Sequence, residues 1–315
     1  MKEIGGYFGL EEFSGKEYYS DLIAVNNARN ALVYLLKARK IKKLYIPFFL
    51  CDSVSQVCLR EKCAFECYHI DKDFRPLFTR TLEENAYLYV VNFYGQVDKG
   101  FIISLKQKYG RIILDNVQAF FEEPIPGIDT VYSCRKFFGV PDGGYVATDV
   151  ELDEQILLDI SKDRMTHVLG RFEGETASDY YDAFKANDAM FKELELRRMS
   201  KLTHNILRAI DYHTVKTKRE ENFSLLHSTL EEYNKLHVHL PAGPYAYPFY
   251  CENGMQIKKV LAKNNIFVAT LWPNVLDMEA TLEKEYAENI LPLPCDQRYD
   301  VSDISYLLEV VLKYV

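Results

Sequence analysis

The sequence has no Cys-x-x-Cys pair, a single tryptophan and no excess of basic residues. It also has no apolar run approaching the roughly 18–20 residues that a bilayer-spanning helix needs. Its seven cysteines, at 51, 58, 63, 67, 134, 251 and 295, are odd in number and lack zinc-ribbon spacing. They read as reduced thiols, which points to a cytoplasmic chain. The segment MKEIGGYFGLEEFSG does not pair a basic stretch with an apolar one, so no secretory signal is expected. Lysine and arginine number 38 against 46 acidic residues, for a formal net charge of −8. Such a surface repels polyphosphate backbones, and neither a nucleic acid nor a membrane is expected as partner. Fifteen glycines and 11 prolines among 315 residues are too few for a collagen-like or low-complexity chain. What is present is a 48% hydrophobic composition, enough to fill one large or two moderate cores.

From about residue 22 to 148 helical and strand-like segments alternate. Asn27 is placed to cap a helix over Ala28–Ala38, with Ala31, Leu32, Leu35 and Leu36 on one face. Strands are expected at Leu44–Ile46, Ala64–Ile70, Tyr87–Asn92, Ile112–Asp115, Thr130–Tyr132 and Gly144–Thr148. Several lack polar alternation, as strands covered on both faces do, and helices at Asp52–Arg60 and Phe101–Tyr109 separate them. This pattern predicts an α/β fold around a mostly parallel sheet. Beyond residue 150 the texture is charged and helical, with a long helix expected from Phe191 to Leu207. Leu236–Leu240, Ala246–Tyr250 and Ile266–Thr270 read as short strands, and Gln256–Lys263 and Asp303–Tyr314 as helices. The expected division is a large domain over 1–215 and a smaller α+β domain over 216–315.

In a parallel sheet, ligands gather at the carboxyl ends of the strands. Asn92, Asp115 and Lys136 fall at or just after such ends. Asp115 either caps the next turn or serves a ligand. Lys136 reads as a surface lysine or, given Phe137, Phe138 and Val140 beside it, as a lysine in an apolar pocket. A desolvated lysine is the kind of nucleophile that forms Schiff bases.

In this order, these residues resemble the DegT/StrS-type sugar aminotransferases, pyridoxal-phosphate enzymes of the aspartate-aminotransferase fold. Asn27-Ala28-Arg29-Asn30-Ala31-Leu32 is similar to that family's Ser-Gly-Thr-x-Ala-Leu phosphate loop, and Tyr45-Ile46-Pro47 to its strand-Pro-aromatic segment. Val91-Asn92-Phe93-Tyr94-Gly95 resembles its Val-His-x-Tyr-Gly, and Asp115-Asn116-Val117-Gln118-Ala119 its Asp-x-x-Gln-Ala. Lys136 with Gly143-Gly144 matches its Lys-x6-Gly-Gly. Arg198-Met199-Ser200 and Leu293-Pro294 resemble two later segments, so the likeness runs over nearly the whole chain.

The resemblance implies a three-layer sandwich of PLP-transferase fold type I and pyridoxal 5'-phosphate as cofactor. It implies an internal aldimine on Lys136, with Asp115 against the pyridine nitrogen and Gln118 near the phenolic oxygen. Ala28 and Arg29 would offer backbone N–H groups to the phosphate at a helix start. The Arg29 side chain either adds a charged contact or points to solvent. Ser133 is a further phosphate donor, Phe49 a substitute for the ring-stacking aromatic, and Tyr7 a substrate-pocket residue. The implied reaction is amino transfer, with glutamate as donor, to a nucleotide-linked keto-sugar; active sites would lie at the two-fold interface of a homodimer.

Departures from the pattern bear on the phosphate end. Ala28-Arg29 stands where the family has Gly-Thr, Val131 where it has a serine, and Leu196 where it has an asparagine that reaches the neighbouring subunit. Cys51 occupies the place of its stacking aromatic. These changes keep open a catalytically silent or regulatory protein of the same fold, or a fold-type-I enzyme acting on amino acids. His237 and His239 alternate along one face but have no third ligand nearby, so no metal is assigned. Cys134, beside Arg135 and Lys136, would be a reactive thiol if exposed.

Overall fold

The structure is a computed structural model and describes residues 4–174, 176–279 and 281–315. Its centre is an eight-stranded sheet made of β1 (Ile23–Val25), β2 (Lys43–Pro47), β3 (Ala64–Ile70), β4 (Pro76–Leu77), β5 (Ala86–Val91), β6 (Ile112–Asp115), β7 (Asp129–Ser133) and β8 (Gly144–Ala147). The order across the sheet is β1-β8-β7-β6-β5-β2-β3-β4. The five strands from β7 to β3 run parallel, while β8, its edge partner β1 and the opposite edge β4 pair antiparallel to their neighbours. Every residue of β6, β7 and β8 is buried, which explains why β6 and β8 show no polar alternation. Register sets Asp115, the last residue of β6, between Val91 of β5 and Val131 of β7.

Helices flank the sheet: α1 (Ala28–Ala38), α2 (Asp52–Arg60) and α3 (Lys99–Tyr109). The Asn27 side chain caps α1 by accepting from the Asn30 N–H. Residues 30–36 of this helix are all buried where it packs on β7 and β8. Next come α4 (Thr166–Glu173), α5 (Tyr181–Met190), α6 (Lys201–Arg208) and α7 (Tyr212–Leu230). The C-terminal part holds β9 (Tyr247–Tyr250), α8 (Gly254–Lys263), α9 (Leu282–Asn289), β10 (Ile290–Leu293) and α10 (Val301–Val311), with β9 and β10 forming an antiparallel pair.

Three apolar clusters result. One lies under the sheet and recruits Trp272, Val275, Tyr286 and Ile290 from the C-terminal part. A second joins Phe223, Leu226 and Leu230 of α7 to β9, β10, α8 and α10. The third is aromatic and gathers Tyr19, Phe120, Phe121, Phe137, Phe138 and Tyr145 beside α6.

Three expected elements are corrected. The helix from Phe191 to Leu207 begins only at Lys201, where Ser200 caps α6 and is itself bonded to Asp142. Upstream, the carbonyl of Arg197 accepts from the Asn26 N–H and that of Glu195 from the Asn30 amide, so distant buried asparagines use groups a helix would need. Leu236–Leu240 is not a strand, because the Gln96 side chain pairs with both backbone groups of His239. Ile266–Thr270 is also irregular: the Ile266 N–H bonds back to Leu261, and among the described residues no strand pairs with it.

Candidate active site

The carboxyl ends of β5, β6 and β7 and the start of α1 converge on one cavity of about 510 Å3. The Gly143-Gly144 pair explains why α1 starts there. A side chain on Gly144 would lie 2.8 Å from the Asn27 carbonyl carbon and 2.9 Å from the Ala28 nitrogen, so only glycine lets β8 pass so close to the helix start. Gly143 holds φ +115° and donates its N–H to the Asn26 carbonyl at 2.8 Å.

Of the residues singled out in the sequence, Ala28, Arg29, Asp115, Gln118, Ser133 and Lys136 all line this cavity. Asp115 is 6% exposed. Its Oδ1 accepts from the Val117 N–H at 2.8 Å and its Oδ2 from the Tyr89 hydroxyl at 2.8 Å. It therefore caps its turn and faces the cavity at once, and each oxygen keeps acceptor capacity for a further donor. Burial pushes its carboxyl up from the ordinary value, against the opposing pull of Val117, Tyr89 and the Lys136 charge.

Gln118 is 4% exposed; its Oε1 accepts from the Tyr94 N–H at 2.9 Å and its Nε2 is buried with no partner. Tyr94 takes a left-handed φ of 55° to make this bond. Asn27 repeats the arrangement. Its Oδ1 caps α1, and its Nδ2 is buried without a partner. A buried donor without an acceptor carries a desolvation cost of about 1–3 kcal/mol unless something fills the site.

The structure decides between the two readings of Lys136 and places Phe49 and Tyr7 differently from expectation. Lys136 is exposed to the open cavity rather than enclosed in an apolar pocket. The tight turn after Cys134 sends Phe137, Phe138 and Val140 into the aromatic cluster and leaves the lysine outside it. Its Nζ stands 5.3 Å from the centre of the Tyr245 ring. Phe49 does not line the cavity: it is buried against Trp272 and Phe93, with ring centres 4.3 and 5.5 Å away, and Cys51 lines the wall instead. Tyr7 is 99% exposed on an extended N-terminal arm.

Cys134 is wholly buried, and burial pushes its thiol well up, which removes the reactive thiol considered from its neighbours. Asn92 does not line the cavity but holds the turn after β5, accepting from the Val97 N–H and donating to Asn116. Among the described residues, no three His, Cys, Asp or Glu side chains converge as a metal site, and no helix is long and apolar enough to cross a membrane.

The rest of the wall comes from α5 and the C-terminal part. Tyr245, Trp272 and Arg298 line it, together with Phe184 and Asp188 of α5. Trp272 has a left-handed φ of 56°, unusual for a bulky side chain. Arg298 is held in a two-bonded pair by Asp296 at 2.7 and 2.9 Å. Burial raises the Asp296 carboxyl, but Arg298 more than reverses this and leaves it below the ordinary value. Of these residues, only Arg298 lies in a segment with a sequence signal: Asp296-Gln297-Arg298-Tyr299 after Pro294 reads as a polar turn that either closes a pocket or decorates it.

Neither a protein-family model nor a curated protein matches this sequence. Solved structures do. A DegT DnrJ EryC1 StrS aminotransferase from Brucella abortus is similar over 93% of this chain and 85% of its own, at 16% identity and a TM-score of 0.63. DesV from S. venezuelae, solved in complex with a ketimine intermediate, covers 93% and 84% of the two chains at 14% identity and a TM-score of 0.62. NtdA from Bacillus subtilis, solved with bound cofactor PMP, covers 93% and 72% at 12% identity and a TM-score of 0.66. The chain therefore has the α/β fold of these aminotransferases.

Proposed function

We propose that the chain is a pyridoxal-phosphate-dependent aminotransferase of the DegT/StrS type, transferring an amino group from a donor such as glutamate to a nucleotide-linked keto-sugar. One observation carries the reading. Two buried amides, Asn27 and Gln118, spend their oxygens on the backbone and leave their NH2 groups unpartnered at one cavity, with Asp115 and Lys136 also on its wall. Such a cavity asks for a ligand rich in oxygen acceptors that also carries a cationic donor for Asp115, and pyridoxal phosphate has both.

Asp115 would hold the ring nitrogen and Gln118 the phenolic oxygen, with Asn27, Ala28, Arg29 and Ser133 at the phosphate. When bound, the cofactor supplies the electron sink for moving an amino group between two carbon skeletons. Val117 and Tyr89 fix the Asp115 carboxylate in one orientation, so that its negative charge is set before anything binds. A cationic partner against it offsets the burial that raises its carboxyl. Lys136, free of the aromatic cluster, has an accessible Nζ that can take up and return a proton. Tyr245, Trp272 and Phe184 give the cavity further apolar lining.

The same reading makes the protein a cytoplasmic homodimer with domains over 1–215 and 216–315. The separate apolar cluster of α7, β9, β10 and α10 supports that division. Exposed Leu157, Ile160 and Phe172 support a covered face in the assembly.

The test is a visible spectrum of the purified protein with added pyridoxal phosphate, followed by borohydride reduction and peptide mapping. A yellow band fixed on the Lys136 peptide, with amino transfer from glutamate to a panel of keto-sugars, is the expected result. No band, or label scattered over surface lysines, sinks the reading. Binding without transfer to any acceptor points instead to a silent or regulatory protein, consistent with Leu196 and the altered Ala28-Arg29 pair.

A further inference from the structure

The phosphate end of the cavity contains charges that the aminotransferase pattern does not account for. Arg29 lies in the first turn of α1, and its Nη2 is 3.8 Å from Asp188 Oδ2. Its Nε is buried without a partner. Arg135, one residue before Lys136, reaches the same carboxylate, with Nη1 3.2 Å from Asp188 Oδ1. Its guanidinium is stacked over the Phe191 ring, 4.2 Å from the centre, which holds the fork in one plane. Burial, and after it the nearby charges of Arg29 and Arg164, make Arg135 a weaker base than usual. Two guanidiniums thus share one carboxylate whose side chain is 44% exposed. The cluster keeps a net positive charge beside a helix N-terminus, where Asn27, 4% exposed, has its Nδ2 unpartnered.

We propose that Arg29 and Arg135 form a phosphate clamp within this one chain, completed by Asn27 Nδ2, and that Asp188 is a displaceable stand-in for the phosphate. The inference rests on the pyridoxal-phosphate reading and supplies what the missing hydroxyls at positions 29 and 131 and the apolar Leu196 leave out. A guanidinium fork matches a phosphate in two-bonded geometry, and a dianion competes well against a single half-exposed carboxylate. When phosphate enters, Asp188 turns to solvent and the two arginines change partner without moving out of the wall.

Trp272 is the only tryptophan and lines the same cavity, so its emission reports ligand binding in the intact chain. The experiment titrates pyridoxal phosphate and pyridoxal, which has the same ring and aldehyde but no phosphate, with inorganic phosphate as competitor. The wild type is expected to prefer pyridoxal phosphate by about 100-fold or more. Arg29→Gln and Arg135→Gln each lower the affinity for pyridoxal phosphate by about 10- to 100-fold, as expected for one charged hydrogen-bonding group, and leave pyridoxal within about twofold. Asp188→Asn raises the affinity for pyridoxal phosphate and for inorganic phosphate by about three- to tenfold, with pyridoxal again unchanged.

An unchanged preference in both arginine variants, with normal wild-type binding, overturns the clamp and leaves the aminotransferase reading standing. Wild-type protein that binds neither compound, with no reduced adduct at Lys136, overturns both. Should an arginine variant lose its circular-dichroism signature of folding, Asp188→Asn decides the matter, and unchanged or weakened phosphate affinity there overturns the clamp.

Discussion

At one end of the cavity Asp115 and Tyr89 sit inside the sheet, bonded to each other and to the Val117 N–H, and Gln118, in the turn after β6, is fixed through its oxygen by the Tyr94 N–H. At the other end Arg29, Arg135 and Asp188 stand on helices and loops, the carboxylate half in water. The first arrangement is costly to build and hard to alter, because a buried carboxylate must keep every partner it has. The second tolerates exchange, because the Asp188 carboxylate is already half in water and can give way to another anion. The difference explains why the departures at positions 29, 131 and 196 fall at the phosphate end, while Asp115, Gln118 and Lys136 retain the pattern.

The contrast can be broken or sharpened experimentally. Lys136→Ala is expected to abolish borohydride-trapped cofactor and lower turnover by about 10^4-fold or more, with stability within about 0.5 kcal/mol because the side chain is exposed. A variant that still turns over normally would remove Lys136 from the reaction. Asp115→Asn should lower turnover by about 10^2- to 10^4-fold, by analogy with the loss of a positioned charge.

The same Asp115→Asn change should stabilise the protein in the absence of added cofactor, and the sign follows from burial. The carboxyl of Asp115 is raised in the folded chain, so wild type and amide differ little where both folded and unfolded carboxyls are protonated. As pH climbs from the unfolded carboxyl's range through the raised folded value, the wild type loses stability relative to the amide. Thermal melts from pH 3.5 to pH 8 should show this gap opening and then levelling; a constant gap refutes the assignment.

Tyr89→Phe removes one bond to Asp115 and should cost about 1–2 kcal/mol of stability, with a smaller loss of turnover than Asp115→Asn. The smallest effect belongs to the exposed end. Asp188→Asn should change thermal stability by less than about 1 kcal/mol, and a change as large as that of Tyr89→Phe would erase the distinction between the two ends.

Much of the sheet was legible because strands buried on both faces must be apolar throughout. Ile112–Asp115 has the same bounds in sequence and structure, as does the partly exposed Ala64–Ile70, read from its β-rich composition, and the Asn27 cap of α1 is visible as a residue type in its required place. Segment 191–200 was not legible. Its backbone is claimed by Asn26 and Asn30, more than 160 residues away, and a local period carries no trace of that. Ile266–Thr270 has β-branched residues but, among the described residues, no strand that pairs with it, whereas β10 was read only as a Leu-Pro segment because Pro292 lies within it.

The apolar-pocket reading of Lys136 failed for a related reason. Neighbours in sequence are apolar, yet the turn sends them to the other side. Asp188 has no motif around it, and only the packing of α5 brings it to the cavity. The polar residues at strand ends could be read in order because each acts from a fixed place in the sheet; those contributed by later helices and loops depend on how distant segments meet.

Trp272 also sets a schedule for synthesis. Its ring packs on Phe49, Phe93 and Tyr94, so it completes an apolar cluster begun more than 200 residues earlier. A chain emerging from the ribosome can lay down the sheet strands through β8 before this ring exists, but it leaves Phe49 and Phe93 without their cover. The cavity wall and the centre of that cluster are therefore finished together and late, and a nascent chain halted before residue 272 presents an unsealed aromatic surface to its surroundings.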